Sequence, residues 1–263
     1  MYYPGSKERI AGAIIFYILK QRNRRPYVEP FLGGANIMSK VPYSDGVRYG
    51  NDINSYLIQM WRELQKGWIP PEFIDEQTYQ HIKENKEKYD PALTCYAGFV
   101  CSFNSFWFSG YRGLVTRVRT DTSGNRVQEN QQQYARNHLL KQIPNMTNVV
   151  LSCSTYENMY IPDNSIIYCD PPYFDVSQPY IERGFDSTMF WEWVRFLTTS
   201  KHNYIVYITE YTAPDDFVSI FEERINPIGG TLYGSLQPNR LFVHSSQIDK
   251  IDTTPPQMPR IQL

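Results

Sequence analysis

Hydrophobic and polar positions follow two rhythms along the chain. Short apolar runs bounded by Pro, Gly or Asn predict strands over Pro26–Phe31, Val47–Asp52, Asn148–Ser152, Ser165–Cys169 and Tyr204–Thr209. Between them lie segments with helical spacing. Ile10 to Leu19 is apolar, and a helix is predicted from about Ser6 to Lys20 with Ser6 as its cap. Leu57, Ile58, Trp61 and Leu64 mark a helix over Ser55–Lys66. Further helices are predicted over Tyr134–Lys141 and Thr188–Ser200, with short ones over Asn36–Val41 and Asp215–Phe221. The tail after Leu241-Phe242-Val243 is Pro-rich and reads as loose.

Strands separated by helices imply an α/β chain with a largely parallel sheet covered on both faces. The rhythm breaks from about 67 to 145. Glu72 to Asp90 is charged and helical, Leu93 to Phe108 is aromatic-rich, and Thr120 to Asn125 reads as a loop or hairpin tip. We read 67–145 as an inserted subdomain, with 1–66 and 146–263 forming one core domain.

Composition narrows the classes. A 263-residue chain that is 41% hydrophobic can bury a sizeable core, so a wholly disordered chain is excluded. The net charge of −1 neither favours nor opposes nucleic acid, so any basic surface must be local. Cys95, Cys101, Cys153 and Cys169 form no C-x-x-C pair, and no histidine has metal-ligand spacing near them; we expect reduced thiols and no metal. The Ile10–Leu19 run is too short to span a bilayer and lacks a small-residue cleavage site, so the expectation is a soluble, cytoplasmic protein without membrane attachment.

The strongest chemical signal is Asp170-Pro171-Pro172-Tyr173, directly after the strand Ile166–Cys169. At roughly 5% usage per residue, this string arises by chance about 0.002 times in a chain this long. Ligands in open α/β sheets sit beyond the carboxyl ends of the strands, where Asp170 falls. The two prolines stiffen the backbone and leave the Pro171 carbonyl able to accept from a ligand. Two acceptors beside the flat Tyr173 ring suit a planar base with an exocyclic NH2; a rigid turn with an aromatic plug is the plainer alternative.

Glu29-Pro30-Phe31-Leu32-Gly33-Gly34-Ala35 is a strand followed by a glycine turn of the sort that lets a cofactor approach the backbone. Such turns are common, but Asp52 ends the next strand 19 residues after Gly33, where a Rossmann-type site binds ribose hydroxyls.

Together, Tyr3-Pro4-Gly5-Ser6-Lys7, Glu29 to Gly34, Asn51-Asp52-Ile53-Asn54 and Asp170 to Tyr173 resemble the Dam-type DNA adenine-N6 methyltransferases, the D12 class, alpha group. The order of motifs agrees, and Tyr207 to Pro214 resembles a later strand-and-loop element of that family. Ala35 stands where the family usually has Gly, Phe103 to Arg112 matches its recognition region loosely, and the Phe-Asn-x-Pro-x-Gly segment of GATC-reading members is absent. The resemblance implies a Rossmann-like class I methyltransferase fold: a mostly parallel mixed sheet with helices on both faces and an inserted, mainly helical target-recognition subdomain. It implies S-adenosyl-L-methionine as cofactor, double-stranded DNA as partner, and a bacterial or phage setting of DNA methylation or restriction–modification. By motif position, Tyr3 and Lys7 would line the cofactor and active-site pocket, with Glu29, Phe31 and Gly33 at the cofactor and Asp52 on its ribose. Asp170, with Pro171 and Pro172, would lie between cofactor and target amine, and Tyr173 would stack on the extruded base. Lys7, taken alone, also reads as a surface lysine after a turn.

Arg112, Arg117, Arg119 and Arg126 make the local basic stretch that the neutral total conceals. They are candidate DNA contacts, or simply a solvated face. The favoured activity is methyl transfer to the amine of a flipped adenine. The alternatives are a methyltransferase acting on cytosine N4 or on an RNA or protein amide, and an inactive DNA-binding relative.

Overall fold

The structure, a computed structural model, describes residues 1–113, 116–120, 124, 126–172, 185–224 and 238–255. Strands are β1 (Tyr27–Glu29), β2 (Arg48–Asn51), β3 (Thr116–Thr120), β4 (Arg126–Asn130), β5 (Val149–Ser152), β6 (Ile166–Cys169), β7 (Ile205–Glu210), β8 (Phe217–Arg224) and β9 (Pro238–His244). The helices are α1 (Ala11–Arg22), α2 (Ser55–Gln65), α3 (Glu76–Glu84), α4 (Pro91–Cys95, continued by a π-helical turn over Tyr96–Val100), α5 (Gln131–Met146) and α6 (Ser187–Thr199).

Among the described residues seven strands form one sheet in the order β5-β2-β1-β6-β7-β9-β8. The pairs β5–β2, β2–β1, β1–β6 and β6–β7 are parallel, while β9 runs antiparallel to both β7 and β8. This is the largely parallel sheet that the strand–helix rhythm implies, in the mixed, Rossmann-like form that the family resemblance implies. Successive residues of the central strands enter two different cores, which is why the strands read as unbroken apolar runs. Tyr27, Ile166, Tyr168, Ile205 and Tyr207 pack with α1, α2 and α5 on one face. Val28, Ile167, Cys169, Val206 and Ile208 pack with Phe190, Val194 and Leu197 of α6 on the other.

Side-chain caps start several helices. Asn54 Oδ1 accepts from the Leu57 amide (3.2 Å) at α2, and Asp186 Oδ1 from the Met189 amide (3.0 Å) at α6. On α2 the residues with helical spacing, Leu57, Ile58, Trp61 and Leu64, are all buried. The segment between α2 and β5 carries α3, α4, the antiparallel β3–β4 ribbon and α5. Its Tyr79, Ile82, Tyr96, Phe99 and Leu139 share one contiguous core with Ile14 and Trp61, so it is an interruption of topology rather than of core.

Three expectations are corrected. The first helix begins at Ala11, and Ser6 does not cap it; the Ser6 hydroxyl instead accepts from Asn36 Nδ2 (2.8 Å). The segment 215–221 is not a helix, because Phe217–Arg224 pairs with β9. A short apolar run is ambiguous by periodicity, and here strand pairing decides it. The chain after β9 is not loose at its start: Ser245–Lys250 is a 3-10 helix whose buried Gln247 takes the Val206 amide (2.9 Å) and donates to the Val206 carbonyl (3.2 Å).

Among the described residues no helix is long and apolar enough to cross a membrane, and no cluster of three His, Cys, Asp or Glu is placed to hold a metal. Cys95, Cys101 and Cys169 are buried, Cys153 is exposed, and all four are free thiols.

Candidate active site

The chain winds outward from β1 through β2 to β5, then returns to β6 on the other side of β1. Strand order therefore reverses between β1 and β6, and open α/β sheets take their ligands beyond the carboxyl ends of the strands at such a reversal. The glycine turn after β1 and Asp170 after β6 stand at this place.

Gly33 sits at φ 47° in the turn, and its amide donates to Asp52 Oδ2 (2.9 Å). Asp52 Oδ1 accepts the Asn54 amide (2.9 Å), so one carboxylate ties the turn after β1 to the turn after β2. Burial pushes the Asp52 carboxyl up from its ordinary range, and the backbone amides of Asn54, Gly33 and Ile53 pull it back. A carboxylate offers about four lone-pair sites, so beside these three amides Asp52 retains capacity for a ribose hydroxyl. Ile53 beside it is exposed and gives an apolar flank. This acceptor and apolar flank fit an adenosyl cofactor.

The close approach that needs the glycines is made by the chain itself. A Cβ on Gly33 would stand 3.1 Å from the Tyr3 ring, and one on Gly34 would stand 2.7 Å from Tyr3 Cβ and 2.8 Å from the Met1 carbonyl. Tyr3 in turn packs against Phe99, ring centroids 5.0 Å apart. The N-terminal motif and the glycine turn are thus one unit.

Ala35 adopts φ 53° with its side chain fully buried. A left-handed Ala costs roughly 1–2 kcal/mol. Replacing it by Gly frees the unfolded chain by about 0.4–1 kcal/mol and forfeits about 0.8 kcal/mol of methyl burial. The terms nearly cancel, so Ala35→Gly is expected to change stability by less than about 1 kcal/mol. Denaturant unfolding of the two proteins checks this.

Asp170 follows β6 directly. Its Oδ1 lies 2.8 Å from Lys7 Nζ, with side chains 22% and 5% exposed respectively, so this is a largely buried ion pair. The same oxygen accepts from Thr209 Oγ1 at 2.9 Å, and Lys7 Nζ also donates to the Gly5 carbonyl (2.6 Å). Lys7 is therefore buried against Asp170 and not a surface lysine. Pro171 is buried and Pro172 half-buried, while Tyr173 lies outside the described residues.

Phe31 points to the α6 face of the sheet, 5.3 Å from the Tyr156 ring and 5.8 Å from Phe190. Glu29 is 2% exposed and accepts from the Tyr27 hydroxyl (2.7 Å). Burial pushes its carboxyl up to about 8 against the pull of that hydrogen bond and of Arg48, with Asp170 adding to the rise.

The arginines divide. Arg112 is occupied within its own loop: Nε donates to the Ser102 carbonyl (2.9 Å) and Nη2 to Ser105 Oγ (2.7 Å). The backbones of Arg117 and Arg119 lie on β3 opposite Glu129 and Val127, and Arg126 lies on β4 opposite Thr120. Trp107, half-buried, packs against Phe99, Phe108 and Tyr56. Thr209 and Tyr168 were not among the candidates from sequence; nothing in their local pattern marks them.

Three solved structures resemble the chain at low identity. An assigned methyltransferase of Escherichia coli, yhhF, is 10% identical with a TM-score of 0.36, covering 92% of this chain and 89% of that one. An assigned methylase of Haemophilus influenzae is 7% identical, TM-score 0.35, covering 90% and 88%. An assigned class I S-adenosylmethionine-dependent methyltransferase of Listeria monocytogenes is 12% identical, TM-score 0.40, covering 98% of this chain but 64% of that one. No curated protein matches the chain significantly. The profile of the D12 class N6 adenine-specific DNA methyltransferases matches residues 3–193, which include the glycine turn, Asp52 and Asp170. The chain thus belongs to the D12 class N6 adenine-specific DNA methyltransferase family, and its cofactor, as that family implies, is S-adenosyl-L-methionine.

Proposed function

We propose that the protein is a Dam-type enzyme that methylates N6 of an adenine flipped out of double-stranded DNA. The observation that carries this reading is the Asp170 carboxylate at the rim of β6, with Oδ1 held by Lys7 and Thr209. Among the described residues both contacts fall on Oδ1, so Oδ2 is the oxygen available to an amine.

The lone pair of an adenine amine is delocalised into the ring. The Asp170 carboxylate and the Pro171 carbonyl each accept one of its N–H bonds. Holding both steers the nitrogen toward tetrahedral geometry and directs its lone pair to one side. When bound, S-adenosyl-L-methionine would supply an electrophilic methyl group for that nitrogen and leave as a neutral thioether. The nitrogen gains the methyl and sheds one proton, and Asp170 stands closest to take it. Positioning and electrostatics supply the catalysis. Asp52 would hold the ribose of the cofactor, with Tyr3 and Gly33 shaping the turn and Phe31 lining the pocket on the α6 side. Glu29 supports this wall from inside the core. Tyr173 stacks on the extruded base, a contact of roughly 1–3 kcal/mol that offsets unstacking.

The 67–145 segment serves as the target-recognition region. Arg117, Arg119 and Arg126 on the β3–β4 ribbon meet the DNA, and Arg112 shapes the adjoining loop.

Labelled S-adenosylmethionine is incubated with the protein and unmethylated duplex DNA, and the product is digested to nucleosides. Label is expected in N6-methyladenine. Label in N4-methylcytosine, or only in RNA or protein acceptors, overturns the substrate assignment. Cofactor binding without transfer to any of them would mark an inactive relative.

A further inference from the structure

We propose that Thr209 is a positioning residue whose hydroxyl, backed by Tyr168, fixes the orientation of the Asp170 carboxylate for methyl transfer. This rests on the reading of Asp170 as an acceptor of the target amine.

Residues 168, 169 and 170 face 207, 208 and 209 across the parallel β6–β7 pair, whose register aligns Tyr168 with Tyr207 and Cys169 with Ile208. Thr209 is thereby brought level with Asp170. Its Oγ1 lies 2.9 Å from Asp170 Oδ1 and 2.9 Å from the Tyr168 hydroxyl, with the Cys169 carbonyl farther away at 3.4 Å. Thr209 is fully buried and Tyr168 is 2% exposed, so water does not substitute for these partners cheaply.

Proton counting sets the direction of the chain. A threonine hydroxyl has one hydrogen and two lone pairs. The Asp170 carboxylate accepts, so Thr209 donates its hydrogen there. Tyr168 must then donate to Thr209. Burial pushes the Tyr168 phenol well above its ordinary value, with the Asp170 charge adding to the rise, so it remains a donor across the working pH range. The result is a buried relay of dipoles, Tyr168 to Thr209 to Asp170, each bond strengthening the next. Lys7 reaches the same oxygen. Oδ1 is thereby turned into the protein, and Oδ2 is left to meet the amine at a fixed angle.

Thr209→Val keeps the shape and removes the hydroxyl. In steady-state and single-turnover assays on duplex DNA, kcat is expected to fall about tenfold or more. KM for DNA and Kd for S-adenosylmethionine should stay within about twofold of wild type. Thr209→Ser restores most of the rate. Tyr168→Phe loses less than Thr209→Val, and the double variant is no slower than Thr209→Val alone, because the two groups act in series. A Thr209→Val enzyme within twofold of wild-type kcat overturns the inference, as does failure of Ser to rescue or a loss confined to KM. Should Thr209→Val not fold, Tyr168→Phe decides: a lower kcat at constant KM supports the relay, and an unchanged kcat overturns it. If the wild type methylates an acceptor other than adenine, the substrate reading falls, while the Thr209→Val effect on that acceptor still tests the relay.

Discussion

Asp170→Ala is expected to lower methyl transfer by at least about 10²–10³-fold, the scale of losing one preorganised contact to the reacting group. It is also expected to destabilise the protein, and the two effects have different causes. The rate falls because the amine loses a charged acceptor that the Pro171 carbonyl cannot replace. Stability falls because Lys7, only 5% exposed, loses its counter-charge at 2.8 Å. Removing one member of a buried ion pair costs roughly 3–5 kcal/mol, more than the pair itself contributes. Asp170 is partly exposed, so the lower end of that range applies. The effects separate in the double variant Lys7→Met, Asp170→Ala, which no longer buries an ammonium whose Asp170 counter-charge is gone. It should recover much of the lost melting temperature and none of the activity. Initial rates of N6-methyladenine formation and thermal melts on the wild type, the single variant and the double variant give the answer. A single Asp170→Ala variant that retains activity within tenfold of wild type would remove Asp170 from the chemistry. A double variant as unstable as the single one would show that the cost lies elsewhere than in Lys7.

The parts of this site that were legible in the sequence are those that depend on local backbone chemistry. Asp170-Pro171-Pro172 could be placed because a strand end, two prolines and an acid are read from consecutive residues. The glycine turn and Asp52 were legible because their spacing follows from one strand–helix–strand unit. The central strands were equally plain, since burial on both faces leaves no polar alternation to confuse them. What escaped depends on register or on distant partners. Thr209 matters only because β7 pairs with β6 in one alignment, and a shift of one residue would turn its side chain to the opposite face. The motif placed Tyr3 at the pocket, but the packing of its ring over Gly33 is visible only in the fold. Arg112 read as a candidate DNA contact from its charge, but its guanidinium is committed to Ser102 and Ser105. β8 was misread because Phe217-Val218-Ser219-Ile220-Phe221 satisfies either period until β9 lies beside it.

Glu29→Gln is expected to stabilise the protein above neutral pH and to flatten its stability profile. The folded-state carboxyl is pushed up to about 8 from 4.5, with burial as the largest cause. Arg48 draws it down, but Arg48 Nε and Nη2 have no hydrogen-bond partner among the described residues, so the attraction acts without a direct bond. Burial therefore wins, and Glu29 is protonated in the folded protein near neutrality. Between about 4.5 and 8 the folded state binds a proton that the unfolded state has released. Stability must then fall as pH rises through this window, by at most about 1.4 kcal/mol per pH unit. Gln carries no such proton, and its side-chain oxygen can still accept from the Tyr27 hydroxyl. The variant and wild type should thus have similar melting temperatures near pH 5 and diverge toward pH 8, with the variant more stable. Parallel melting curves across that range would place the Glu29 proton elsewhere. Activity offers a second reading of the same group, because Glu29 lies on β1 beneath the glycine turn and its charge is felt at Asp170. Ionising it beside that carboxylate adds repulsion to a wall that must present one negative charge to the amine, whereas Gln removes the repulsion at every pH. The wild-type rate should consequently decline on the alkaline side where the variant's does not.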